Sequence, residues 1–76
     1  FIIRNLADDK DVLIKSDNGS GGTINYIQCD GSSGAVILTH YGTEKFTTTT
    51  SGVEVTGSVT ADGYEGNLEL DVFLFG

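Results

Sequence analysis

Turn-forming residues interrupt this chain so often that no helix of ordinary length fits between them. Asp8-Asp9, Asp17-Asn18-Gly19-Ser20-Gly21-Gly22, Asp30-Gly31-Ser32-Ser33-Gly34, Tyr41-Gly42, Ser51-Gly52 and Asp62-Gly63 recur at short, fairly regular intervals. Gly after Asp or Asn supplies the positive φ that a tight turn needs, and the runs between are rich in Val, Ile, Thr and aromatics. No window of about a dozen residues escapes Gly or a β-branched run, and no apolar stripe of helical period develops. The expected class is all-β, with short strands near residues 2–6, 12–16, 23–29, 35–40, 45–49, 53–60 and 68–75.

Size makes the second constraint. At 76 residues the chain is one domain or part of one, and a core this small is marginal alone. Because it begins with Phe1 rather than Met, a processed chain or a segment of a longer protein is expected. Small folds gain stability from disulfides, a metal or oligomerisation. Cys29 is the only cysteine and His40 the only histidine. An internal disulfide is therefore excluded, and a zinc site could arise only by symmetry from His40 of several copies. No metal or cofactor is expected, and self-association remains.

Side-chain alternation shows where partners are needed. Val53, Val55, Val59 and Ala61 fall on one side of a strand, opposite Glu54, Thr56, Ser58, Thr60 and Asp62. Leu68, Leu70, Val72 and Leu74 form a second apolar row, whose opposite row changes from Asn67, Glu69 and Asp71 to Phe73 and Phe75. Exposing both phenylalanines would leave an adhesive patch, so this end expects cover from another chain or a following segment. Tyr26, Ile27, Val36, Ile37, Leu38 and Tyr41 belong to two adjacent strands, linked by a loop of hairpin length at residues 30–34. Apolar residues on both faces there suggest a sheet covered on both sides. Val53, Val55, Val59, Leu68, Leu70, Val72, Leu74, Phe73 and Phe75 are the candidate oligomer core. Gly52, Gly57 and Gly63 are candidate turn or close-approach positions.

The net charge of −7 opposes nucleic-acid and anionic-membrane binding, which need clustered Lys and Arg. Arg4, Lys10, Lys15 and Lys45 are scattered instead. No apolar run approaches the roughly 18 residues of a membrane span, so membrane insertion is not expected. The Asp-rich turns at residues 17–22 and 30–34 lack calcium-loop spacing, and a solvated surface is the plainer account of the acidity.

Nothing in the chain spells catalysis. His40 has no nucleophile or acid at a recognisable spacing, and Glu54, Glu69 and Asp71 read as solvated strand carboxylates. Cys29 reads as a small hydrophobe rather than a reactive thiol. Residues 19–22 lack the Lys-Ser/Thr and the helix of a phosphate loop. The chain is not expected to be an enzyme.

The run Ile37-Leu38-Thr39-His40-Tyr41-Gly42-Thr43-Glu44-Lys45-Phe46, followed by residues 47–63 (TTTTSGVEVTGSVTADG), resembles tail-fibre and related structural proteins of tailed bacteriophages, especially marine ones. Residues 12–22 (VLIKSDNGSGG), with Tyr26, Asp30-Gly31-Ser32 and Val36-Ile37-Leu38, resemble the stretch that often precedes that run. The resemblance covers roughly residues 8–63 and leaves 64–76 unplaced, within a single β-rich segment spanning 1–76. It implies an intertwined or β-prism-like homotrimeric fibre segment in a virion tail. The partners it implies are the chain's own copies, other tail proteins and a host cell-surface receptor. Two alternatives stay open. One is a glycan- or receptor-binding module using Tyr26, Tyr41 or Tyr64. The other is a secreted bacterial surface filament or adhesin, assembled by donating strand 2–6 or 68–75 to a neighbour.

Overall fold

The structure, a computed structural model, describes residues 1–63. Strand 68–75 and its apolar rows, together with Tyr64, lie outside the described residues. Within them the protein is all-β. Strands β1 (Val12–Asp17), β2 (Thr23–Cys29), β3 (Val36–His40), β4 (Thr43–Thr49) and β5 (Gly52–Val55) form one open antiparallel sheet in the order β1-β2-β3-β4-β5. Each strand pairs with its chain neighbours, as tight turns between short β-rich runs dictate.

Local chemistry shapes each turn. In the β1–β2 loop, Asp17 Oδ2 accepts the Gly19 N–H at 3.1 Å, and Asn18 Oδ1 accepts those of Ser20 and Gly22 at 2.7 and 3.1 Å. In the β2–β3 loop, the Asp30 N–H donates to the Ala35 carbonyl and the Gly34 N–H to the Asp30 carbonyl, both at 2.9 Å. The β3–β4 connection is the two-residue pair Tyr41-Gly42, with φ of 46° and 85°. Positive φ at both central residues defines the hairpin turn whose twist matches that of the flanking strands.

Two irregularities divide the sheet into a regular half and a splayed half. The β1–β2 register shifts between Ile14 and Lys15, where Tyr26 is the extra residue, and the β3–β4 register shifts between Leu38 and Thr39, where Lys45 is. Both bulges fall immediately beyond one row of paired residues. β2 and β3 pair regularly only from Ile27 to Cys29 against Val36 to Leu38. Past that row, the Thr39 hydroxyl bridges the strands by donating to the Asn25 carbonyl at 2.5 Å.

Two expected strands differ from the observed ones. Residues 2–6 form no strand, because the outer edge of β1 is left unpaired and Asn5 is instead engaged in a turn. Its Oδ1 accepts the Ala7 N–H, and its Nδ2 donates to the Asp11 carbonyl. The strand expected over 53–60 ends at Val55. Thr56 makes a last bond to the carbonyl of the bulged Lys45 at 2.9 Å, and Gly57 then turns to φ 111°.

The core is minimal. Ile37 is the one buried hydrophobic side chain among the described residues, at 7 % exposure, and none is fully enclosed. It lies in a cross-strand row with Leu13, Gln28, Thr47 and Glu54.

Gly42 is a position where a side chain is poorly tolerated. A Cβ there would strike Ile24 Cδ1 as well as occupy left-handed space. Gly42→Ala is expected to cost about 1–2 kcal/mol, which for a domain of this size lowers Tm by roughly 5–15 °C. Thermal unfolding followed by circular dichroism measures it, and an unchanged Tm would contradict the turn assignment.

Candidate functional site

Register brings together residues that are far apart in sequence. Ile14 pairs with Ile27, Ile27 with Leu38, Leu38 with Phe46, and Phe46 with Val55. Directly opposed residues of antiparallel strands point to the same face, so these side chains form one apolar row across all five strands. Two residues along each strand lies a second row: Val12, Cys29, Val36, Thr48 and Val53. The backbone N–H of Val36 donates to Thr48 Oγ1 at 2.9 Å, which ties the row together across β3 and β4. Neither row contains a charge.

This face is open. Ile14 is 50 % exposed, Val53 57 %, Leu38 39 % and Val55 38 %, while Val12, Ile27 and Phe46 are half-buried. Val53 and Val55, read from sequence as oligomer-core candidates, are both on it. Val59 lies beyond β5 and is also exposed. Leu68, Leu70, Val72, Phe73, Leu74 and Phe75 lie outside the described residues. Of the candidate turn glycines, Gly52 and Gly57 have φ of 152° and 111°, and Gly63 has open space around it. Ile14, Ile27, Leu38 and Phe46 were missed as members of the same surface because their alignment depends on register across four hairpins. The signal available to find them was a large apolar residue within each successive run.

A second feature sits in the splayed half. Tyr26, Thr39, His40 and Tyr41 line a groove of about 240 Å³. The Tyr26 ring meets the edge of Tyr41 at 6.3 Å between centroids and 85° between planes, and His40 lies 5.4 Å from Tyr41. The Tyr26 hydroxyl is committed to the Asp17 carbonyl at 2.7 Å, which fixes the half-buried ring against the β1–β2 loop. Tyr41 holds a left-handed φ that a bulky side chain rarely adopts. The groove thus offers aromatic and imidazole surface but no carboxylate in its lining.

A third cluster anchors the N-terminal segment. Asp11 Oδ2 accepts from Gln28 Nε2 at 2.8 Å and Asp11 Oδ1 from the Gly31 N–H at 3.0 Å. Gly31 passes so close to the Lys10 carbonyl that a Cβ would overlap it. These contacts leave a shallow groove of about 240 Å³, to which Asn5, Lys10, Cys29 and Asp30 contribute. No group of three or more His, Cys, Asp or Glu among the described residues is placed to hold a metal ion.

No protein-family model, curated protein or solved structure matches the chain significantly.

The β2–β3 loop biases the ionisation of Asp30. Its carboxyl is held below the usual carboxylate range by the Ser32 hydroxyl, at 2.8 Å, and by the backbone N–H groups of Ser32 and Ser33. A carboxylate with a depressed pKa contributes stability above its unfolded value of about 3.9 that is lost as pH falls through the folded value. The β2–β3 loop is therefore expected to loosen only below about pH 4. In an NMR acid titration, the Ser32 and Ser33 amides should shift with a midpoint below that of free aspartate. A midpoint at or above the free value would contradict the loop geometry.

Proposed function

We propose that this protein is a non-catalytic structural segment of a β-rich extracellular assembly of the phage tail-fibre type, in which copies of the chain complete one another's core. The observation that carries the reading is the contrast, among the described residues, between one buried side chain, Ile37, and an open apolar face spanning strands β1 to β5. A monomer would leave that face in water at a large cost in hydrophobic free energy. The resemblance of residues 8–63 to tail-fibre sequences supports the same reading. Virion location, other tail proteins as partners and a homotrimeric, prism-like or intertwined arrangement follow from that resemblance and belong to the proposal.

A second reading draws on the Tyr26–Tyr41 groove. Aromatic faces stack on sugar rings, and the two rings are held by the turn and by the Asp17 carbonyl. In this reading the segment recognises a surface glycan. Tyr41→Ala would then abolish binding on a glycan array while leaving the sheet's far-ultraviolet spectrum unchanged, whereas the structural reading expects no glycan signal to lose. Strand donation by residues 2–6 is less well supported, since that stretch is engaged through Asn5 rather than extended as a free strand.

Light scattering on the full chain at micromolar concentration is the direct test of the structural reading. A mass of two or more copies is expected, with electron micrographs separating a closed rod-like particle from an open head-to-tail polymer. A folded monomer would overturn the reading.

A further inference from the structure

The two faces of the sheet differ in chemistry, and that difference identifies the surface through which copies would meet. On one face the row Leu13, Gln28, Ile37, Thr47 and Glu54 mixes polar, charged and apolar side chains around the buried Ile37. On the other, the row Ile14, Ile27, Leu38, Phe46 and Val55 is wholly apolar, and the adjoining row that includes Cys29 adds no charge. We infer that this second face is the contact surface between copies of the chain, packed apolar row against apolar row. The inference rests on the structural reading above and specifies its geometry.

Three observations favour a second copy over other occupants. The first is charge. The chain carries −7 overall, so copies repel unless they meet where charge is absent, and these two rows are such a place. Lys10 and Asp30 line a groove with Val12, Cys29 and Val36 at one edge of this face, but the two rows themselves hold no group for a charged partner to pair with. The second is area. Five strands spaced about 4.8 Å apart, with two side-chain rows about 7 Å apart, present on the order of 400–500 Å² of accessible surface. Two such faces stacked remove on the order of 1,000 Å², the threshold for a specific interface.

The third is the state of the apolar N-terminal side chains: Phe1, Ile2, Ile3 and Leu6 remain 67–112 % exposed, so they are not buried on the face. The same face turns inward whether two copies stack or three enclose a prism.

Cys29 provides an internal probe, being exposed in the single chain and paired with Val12 and Val36 on the proposed surface. The experiment is N-ethylmaleimide labelling of the intact wild-type chain, native and in denaturant, with mass measured by light scattering in parallel. An assembled species whose Cys29 reacts at least tenfold more slowly than in denaturant is expected. An assembled species that labels at the denatured rate would overturn the inference while leaving the structural reading standing. A monomer with a fast-reacting Cys29 would end both. A monomer with a protected Cys29 would show that the chain covers its own face, and would likewise overturn the inference.

Paired substitutions supply the second measurement. Leu38→Lys, at the centre of the apolar row, should shift the assembly to smaller mass and speed labelling, whereas Leu13→Lys on the opposite face should do neither. Equal effects of the two would also count against the surface. Should Leu38→Lys fail to fold, the wild-type labelling rate still decides the matter.

Discussion

Antiparallel pairing of Ile27 with Leu38 is the contact on which the rest of the structure depends. It sets the register of the central hairpin, and register determines which face every side chain of β2 and β3 occupies. From that pair the row extends outward to Ile14 on one side and to Phe46 and Val55 on the other. A shift of one residue would put Ile37 on the face of Ile27, or Gln28 on that of Leu38. The burial of Ile37 and the continuous apolar row would then be lost together.

The two bulges protect this arrangement from spreading further. Both occur just beyond the Ile14–Ile27–Leu38–Phe46 row, so the regular ladder stops at the same level on both hairpins. A bulge increases local twist and re-aims the residues after it. That re-aiming splays β2 from β3, turns Tyr26 toward Tyr41 and opens the aromatic groove. One sheet thus carries an even apolar half suited to packing and an irregular half suited to display. The division comes from two inserted residues, Tyr26 and Lys45.

Much of this was legible in the sequence, and the limits have physical reasons. Asp, Asn and Gly act locally, so the turns and the all-β class were readable, and strands β1 to β4 lie within two residues of their expected bounds. The long strand expected over 53–60 was not realised, because alternation reports which way side chains point but not whether a partner strand is present. Beyond Val55 the bulged β4 no longer offers one. Residues 2–6 failed as a strand for the same reason, since β-propensity without a neighbour makes no ladder. The complete apolar face was hidden because it depends on register between strands. Val53 and Val55 could be found by alternation alone, while Ile14 and Leu38 could be joined to them only through three-dimensional pairing.

Because each strand pairs only with its neighbours in sequence, nearly every contact within the sheet closes a short loop. Such low contact order favours fast folding of a single chain. The sheet can form hairpin by hairpin, without waiting for any distant segment. Docking of apolar faces would then be a later, bimolecular event, with a rate that scales with concentration. A strand-exchanged architecture would instead couple folding to association in one step. The connectivity of the meander therefore separates how the chain acquires its shape from when the proposed assembly would form.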